Sequence, residues 1–441
     1  MIIGGVGRYW RQLRSFSPNA RFYLWSTVIT GLSFSIYMLI FNLYIVSSGY
    51  SRSFLGELQS MPNLIALFGA IPAGVLVDHI GRKRALLLAN AGRTLAMLGI
   101  VLLPGPWWLR VSMITFGLSQ SLGMVSGAPF MMENSTEEER NALFSASFGL
   151  QTLVGFFGTL VGGYLPSLFG SLLGVDVESA AAYGATLGVT MALSAFAFIP
   201  VFMIEERTRP GDMQAPGGPS RADRLLRPWR NLSEPGLAMR IFVPNIVISM
   251  GAAILIPYMN LFFKETYPIS DKTLGMLFAV SSVITGVATL ASPVLADRWG
   301  RIRALVITQL ASIPFLLLIG FSNVFWVSGI AFWVRAALMN MGNPLYSAFA
   351  MEQVPARERA TVSGLMGMSW NIGWTVGPFV SGYMQANPNI GFQPIFLITC
   401  SLYIVAAILE RAFFQRLDDR QRRAAHLKRM GVIDMTREKS R

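Results

Sequence analysis

The feature that most constrains this chain is a series of apolar stretches, each about twenty residues long and nearly free of charge. Phe22 to Val46, Met61 to Val77 and Ala304 to Phe321 are examples. A helix rises about 1.5 Å per residue, so about twenty residues cross the roughly 30 Å hydrocarbon core of a bilayer. In lipid every backbone polar group must be satisfied within the segment, which the helix does unaided. Spans are expected near 22–47, 55–77, 85–104, 108–132, 142–168, 181–204, 241–263, 273–296, 304–321, 324–351, 360–385 and 392–414. The expected fold is therefore an all-α membrane protein with twelve transmembrane helices. Charged residues make up 13% of the chain, against about 25% in soluble domains. That is too few to cover a water-exposed surface.

The placement of charge carries topology. Of the 36 Lys and Arg residues, thirty fall on the side that holds both termini, and four (Arg52, Arg110, Lys264, Lys272) fall opposite. Arg93 and Arg335 lie within spans. The positive-inside rule then predicts a multi-pass protein of the plasma (inner) membrane with both termini cytoplasmic. The net charge of +13 is thus a topology signal that can also touch anionic lipid heads; its spread over many loops argues against nucleic acid as a partner. The single cysteine, Cys400, excludes a disulfide framework and a thiolate metal site. The two histidines, His79 and His426, fall in loop and tail, so neither a metal nor a cofactor is expected. Met1 to Arg21 is basic but lacks a short apolar core with a cleavage site, so no removable signal peptide is expected.

An internal repeat organises the spans. Asp78-His-Ile-Gly81-Arg82-Lys-Arg84-Ala-Leu86 recurs as Asp297-Arg-Trp-Gly300-Arg301-Ile-Arg303-Ala-Leu305, 219 residues later. The same shift superimposes Leu55-Gly56 on Leu274-Gly275, Glu133 on Glu352, and Glu139-Arg140 on Glu358-Arg359. It also places Gly158 on Gly377 and Gly163-Tyr164 on Gly382-Tyr383, while Asn42-Leu43 matches Asn260-Leu261 after a one-residue gap. The division this implies is a six-helix bundle over 1–204, a cytoplasmic linker over 205–240, a second six-helix bundle over 241–415 and a basic cytoplasmic tail over 416–441. The linker carries Pro216-Gly-Gly-Pro219 and seven arginines, with a short surface helix expected around Arg221 to Trp229.

Gly74-Val-Leu-Val-Asp78-His-Ile-Gly81-Arg82-Lys83-Arg84, between spans two and three, resembles the signature loop of the major facilitator superfamily, closest in pattern to bacterial drug exporters. Leu295-Ala-Asp297-Arg298-Trp-Gly300-Arg301-Ile-Arg303 is similar and sits where that family repeats the loop. The likeness covers the whole chain: twelve spans in two pseudo-symmetric six-helix bundles, a central linker and the loop in both halves. It implies secondary transport of a small organic solute by alternating access. The loop also makes physical sense alone. A very short turn between helices needs positive φ, which Gly81 and Gly300 supply, and an aspartate at a helix end needs a compensating arginine or helix N-terminus. By the family's pattern Asp78 would pair with Arg82 or a neighbouring helix end while the cytoplasmic side is closed. The plainer reading is a basic turn that only sets topology. Glu133 and Glu352 close spans four and ten, either as partners of the signature loops or as solvated helix-end carboxylates. The gating set is thus Asp78, Gly81, Arg82, Arg84, Glu133, Asp297, Gly300, Arg301, Arg303 and Glu352. The glycine string Gly149, Gly155, Gly158 and Gly162-Gly163 of span five resembles the antiporter motif of drug exporters, with Thr159 where a proline is expected. Span eleven keeps Gly377-Pro378. Close helix packing alone also accounts for such a string.

In that family spans 1, 4, 7 and 10 face the cavity, with 2, 5, 8 and 11 beside them, and substrate sites lie near the midplane. Reading inward gives Tyr37, Asn42, Asn63, Gln120, Gln151, Ser281, Ser282, Arg335, Asn340, Tyr346, Trp370, Asn371 and Trp374 as candidate substrate residues. Arg335 is the sharpest, because an arginine at mid-helix costs about 2.5–3.5 kcal/mol on insertion scales. It either binds an anionic or polar solute or is a structural arginine held by a neighbouring helix. No Asp or Glu is expected at mid-depth, so proton coupling would fall to Glu57, near the outer end of span two, or to an acid at the cytoplasmic end.

Export is the leading expectation, with a monomer as the working unit. The alternatives are an uptake carrier or facilitator for a polar or anionic nutrient and, more distantly, a non-transporting receptor. An enzyme is not expected, because no Ser/His/Asp set, metal spacing or phosphate loop is present, and the absent P-loop argues against a primary pump.

Overall fold

The computed structural model describes residues 16–205, 232–387 and 389–429. Among them the chain is all-helical, with twelve membrane-length helices in chain order. These are α1 (Pro18–Ser47), α2 (Arg52–Ile80), α3 (Arg82–Leu102), α4 (Pro106–Glu133), α5 (Glu137–Leu173) and α6 (Ala180–Phe202). The second set is α7 (Pro235–Thr266), α8 (Asp271–Trp299), α9 (Arg301–Phe321), α10 (Phe325–Glu352), α11 (Arg359–Ala386) and α12 (Gln393–Arg429). The surface helix expected at 221–229 lies outside the described residues.

Local chemistry sets the helix ends. Ser17, Ser51 and Ser179 accept from the third backbone N–H of α1, α2 and α6. Thr136 and Glu139 form a reciprocal capping box at the start of α5, where Glu137 and Glu138 add favourable charge to the helix N-terminus. The two signature turns are the same structure twice. Gly81 (φ 86°, ψ 161°) separates α2 from α3, and Gly300 (φ 87°, ψ 158°) separates α8 from α9. Only glycine occupies that region without strain. Inside α7, Pro257 has no N–H to continue the ladder, and the helix passes through a 3₁₀ turn at Ile256–Tyr258 before resuming at Met259–Thr266.

Two helices outrun the sequence expectation. The fifth span, expected over 142–168, is Glu137–Leu173, and the twelfth, expected over 392–414, is Gln393–Arg429. The bilayer limits the apolar part of a helix, not its length. Residues such as Gln, Arg, Leu and Ala extend a helix readily once it has started.

Nine of the twelve helices are long and apolar enough to cross a membrane by length and composition alone. The remaining three, α4, α10 and α11, are 28 residues each and carry more polar side chains. Large apolar side chains also face outward, among them Phe68, Leu172 and Leu290. Water would not tolerate so many, whereas lipid tails cover them at no loss. Trp107 and its repeat mate Trp326 are exposed at the starts of α4 and α10, as interfacial tryptophans are.

By packing the chain divides into two compact units. The first joins Met1–Asn231 to Ala252–Val283 and Asn371–Ile395. In it α1 packs on α5 and α6, and α4 packs on α2 and α3. The second joins Leu232–Gly251, Ile284–Trp370 and Phe396–Arg441. Its core gathers Ile241, Leu305, Tyr346, Phe349, Val362 and Phe414 from α7, α9, α10, α11 and α12.

Candidate functional site

Within the first unit, the helix ends opposite the signature turns hold segments of the two repeats against each other. Glycines at α2 and α11, and at α5 and α8, make the contact. A Cβ added to Gly56 would lie 2.9 Å from Gly382 Cα, and one on Gly382 would lie 2.7 Å from Gly56 Cα. The mates 219 residues away repeat this: a Cβ on Gly275 would lie 2.7 Å from Gly163 Cα and 2.7 Å from the Thr159 carbonyl. Real Cβ atoms do not approach backbone so closely, so only glycine permits this contact. Between these points sits an amide clasp. Asn42 Nδ2 donates to Pro257 O (2.5 Å) and to Asn260 Oδ1 (2.9 Å), while Asn260 Nδ2 donates to Leu39 O (2.8 Å). Leu39 and Pro257 are themselves repeat mates in the shifted register of Asn42 and Asn260. The clasp therefore follows the pseudo-symmetry, each asparagine capping the other's helix. Gln59 Nε2 donates to Asn42 Oδ1 (2.5 Å) and completes that amide. Gly158 and Gly377, also mates, pack α5 on Ser35 of α1 and α11 on Ala253 of α7.

Charges ring this closed end. Arg52 pairs with Glu265. Lys264 Nζ lies 2.7 Å from both Glu178 and Asp271, and Tyr183 OH donates to Asp271 at 3.2 Å. Asp271 is nearly fully buried, so Lys264 and Tyr183 supply the compensation that a buried carboxylate requires. The pairs Arg52–Glu265 and Lys264–Glu178 were not legible as such in the sequence, because their members lie far apart in the chain. Glu57 is gripped by Arg110 through Nε (2.6 Å) and Nη2 (2.8 Å), a bidentate pair.

At the signature turns charge is paired inside each repeat. Arg82 Nε lies 3.2 Å from Glu133, and Arg301 pairs with Glu352. The first arginine of α3 and of α9 thus meets the last residue of α4 and of α10, once in each unit. Asp78 and Asp297 are exposed and, among the described residues, make no ion pair. Arg84 and Arg303 are exposed as well. Glu358, unlike its mate Glu139, holds the entry to α7 by accepting from Ser233 N (3.2 Å) and Ser233 Oγ. Those bonds, Ser233 Oγ first, keep its carboxyl below the ordinary carboxylate value.

The expected path residues fall into separate groups. Tyr37 is buried in an aromatic set with Phe34, Phe41 and Phe116, at ring-centroid distances of 6.3, 4.8 and 5.5 Å. Its hydroxyl reaches Met113 Sδ at 3.7 Å, and Phe34 leaves one face of the set exposed. Asn63 and Gln120 are half-buried, without a side-chain hydrogen bond among the described residues. Gln151 is exposed and touches Ser147 Oγ at 3.4 Å. Ser281 is buried and Ser282 half-buried, the latter bonded to Phe278 O at 3.1 Å. Asn371 and Trp374 are half-buried and Trp370 is exposed. In the second unit Tyr346 is buried and donates to Ile241 O (2.5 Å), and Asn340 donates to Ala336 O (2.8 Å). Arg335 is buried against α12, where Nη2 donates to Tyr403 OH (2.5 Å) and the guanidinium lies 5.7 Å from that ring's centroid. Its Nε has no hydrogen-bond partner among the described residues.

Glu410 of α12, which the sequence reading did not single out, is 1% exposed and accepts from Gln309 Nε2 at 3.1 Å. Gln309 is the ninth residue of the 21-residue α9, about 12 Å from its start at 1.5 Å per residue. Because α12 continues to Arg429, Glu410 is an interior residue of that helix.

A profile of the Major Facilitator Superfamily matches residues 23–247 and 241–432, nearly the whole chain. The chain belongs to that superfamily. It is a multi-pass secondary transporter, and the superfamily comprises transporters and not enzymes. The major facilitator fold is also that of the nucleoside transporter NupG, whose crystal structure superimposes with a TM-score of 0.71 at 15% identity, over 90% of this chain and 98% of that one. Among curated major facilitator proteins, multidrug resistance protein MdtG of Dickeya zeae is 23% identical over 403 residues, 89% of this chain and 93% of its own. The multi-drug resistance efflux pump PmrA homolog of Lactococcus lactis is 23% identical over 386 residues, 83% of this chain and 89% of its own.

Proposed function

We propose that this transporter exports small amphipathic organic compounds from the cytoplasm by alternating access, in exchange for protons. The far-end clasp is the observation that carries the gating part of this reading. A seal of bare glycine backbone and two mutually capping asparagines is tight when closed. It contains few bonds that must break for the repeats to separate. The signature loops and both termini lie at the cytoplasmic face in this reading, on the positive-inside rule. The two six-helix bundles, 1–204 and 241–415, act as the moving bodies, joined by the linker 205–240 and followed by the basic tail 416–441. Amphipathic cargo is supported by the relatives' drug-efflux names. It is also supported by the aromatic set at Tyr37, which offers apolar surface and no formal charge.

Expression in a host stripped of its own drug exporters tests this reading. Accumulation of some amphipathic dyes and antibiotics should fall several-fold in intact cells and recover when a protonophore collapses the gradient. Unchanged accumulation across a broad panel would sink it. A second reading, uptake of an anionic nutrient, is favoured by the unpartnered Nε of buried Arg335. Uptake of one anion, abolished in Arg335→Gln, would select it.

A further inference from the structure

Four polar atoms define the contact between Glu410 and Gln309. Gln309 Nε2 donates to Glu410 Oε1 at 3.1 Å, and the other two, Glu410 Oε2 and Gln309 Oε1, are buried oxygens without a hydrogen-bond partner among the described residues. An ionised carboxylate only accepts, as does an amide carbonyl. Two buried acceptors without donors, one on each member of a contacting pair, are unfavourable unless a hydrogen reaches them. Rotating the Gln309 amide does not help, since it places an amide oxygen against Glu410 Oε1 and again calls for a hydrogen. A proton on Glu410 Oε2 would supply the donor that the pair lacks and would let the acid and the amide close a cyclic pair.

Among the described residues no ion pair compensates Glu410. Tyr346 of α10 faces Glu410, but its hydroxyl donates to Ile241 O of α7. Arg411 follows Glu410 on α12 and is exposed, as is Arg303 on α9. Asp418, two turns further along α12, accepts from Ile302 N at 3.3 Å. Among the described residues none of these cations pairs with Glu410. A cleft of about 320 Å³ lined by Arg303, Val306, Ile307, Arg411 and Gln415 reaches Val306, one turn from Gln309.

We propose that Glu410 is a proton-binding site of this transporter, its proton shared with Gln309, and that binding and release of that proton drive the exchange; the second clause rests on the export reading above. The proton arrives from water at one membrane face and leaves to water at the other, with the carboxyl neutral in between.

The test uses the full-length protein in lipid. Infrared spectroscopy at neutral pH should show a protonated carboxyl C=O band that shifts in D2O and is missing in Glu410→Gln. That variant mimics the protonated pair, since the amide it introduces can donate to Gln309 Oε1, and should fold. In liposomes, accumulation of an exported dye driven by a pH gradient should fall at least tenfold in the variant, while dye–dye counterflow stays within twofold. Absence of the band overturns the proposal, as does gradient-driven accumulation within twofold of wild type. Should Glu410→Gln not fold, wild type grown with 13C-carboxyl glutamate shows the isotope shift of the same band or refutes it. The band is read without any dye, so failure of export leaves the proton site separately decided.

Discussion

The two ends of the helices solve the same problem by different chemistry. At the far end, segments of both repeats meet through glycine backbone and the Asn42–Asn260 amides, with the charges in a ring around them. At the signature turns the charges pair within each repeat, Arg82 with Glu133 and Arg301 with Glu352. A neutral backbone seal depends on shape, so it is sensitive to a single methyl group and indifferent to salt. Exposed ion pairs contribute little each and are screened. The far end should thus be set by sterics and the other end by charge.

The strongest way to break that contrast is to add volume at the seal. Gly163→Leu and Gly275→Leu each place a side chain where backbone already stands. Overpacking of this kind costs about 1–3 kcal/mol, so the closed far end should lose about 5- to 150-fold in population. Spin-label distances between the far ends of α2 and α8 should lengthen, and transport should fall in parallel. The matched change Gly149→Leu, at a position with open space in the same helix, should do neither; equal effects at both sites would undo the steric account.

The amides come next. Asn42→Leu leaves the Pro257 carbonyl and the Asn260 and Gln59 amides short of partners, at about 1–3 kcal/mol. Because Asn260 loses its own partner in the same step, the double change Asn42→Leu/Asn260→Leu should cost clearly less than the two singles together. Additive losses in the same distance measurement would mean the residues act independently.

How far this architecture could be read beforehand depends on which physical signal each part leaves. Twelve spans and the 219-residue register are written in hydropathy and spacing, and the register already paired Gly56 with Gly275 and Asn42 with Asn260. What it leaves open is which mates touch. Residues near a pseudo-twofold axis meet their own mates, as Asn42 and Asn260 do, whereas residues off it meet another residue's mate, as Gly56 meets Gly382. For that reason Asn42 reads as a path residue in the sequence, yet its amide is taken up by the clasp. Arg335 likewise reads as an anchor for a solute, and its Nη2 is turned to Tyr403 of α12. Glu410 left no signal because its burial comes from packing on α9, whose Gln309 lies 101 residues away in the chain. The Glu139–Arg140 repeat shows the opposite limit. Glu139 closes the capping box of α5 in one copy, while in the other its mate Glu358 holds the entry to α7.

At the signature end smaller effects are expected. Arg82→Gln should cost about 0.2–1 kcal/mol and make the variant's stability less sensitive to salt than wild type. Asp78→Asn removes a charge with no ion-pair partner among the described residues, so folding should move by less than about 0.5 kcal/mol. Turnover should nonetheless drop if Asp78 is a latch that engages in another state of the cycle. Thermal denaturation beside transport assays separates the two; unchanged turnover in Asp78→Asn would reduce the turn to a topology signal.

The smallest expected effect is a pH response confined to the entry of α7. Ser233 hydrogen bonds hold Glu358 below the ordinary carboxylate value of 4.5. A carboxyl depressed in the folded state stabilises the fold fully above its unfolded value, and that contribution disappears as pH falls through the lowered folded value. Neutral and mildly acidic conditions should therefore leave the segment docked, and only strongly acidic ones should release it. Hydrogen exchange over 232–240, corrected for intrinsic rates, should show protection that is flat from neutral pH to about 5 and declines below the ordinary carboxylate range. In Glu358→Gln the amide cannot ionise, so the decline should vanish and protection at neutral pH should be lower. A pH response of equal size in the variant would assign it to another acid, and with it the contrast between a charge-set end and a shape-set end would lose its clearest local test.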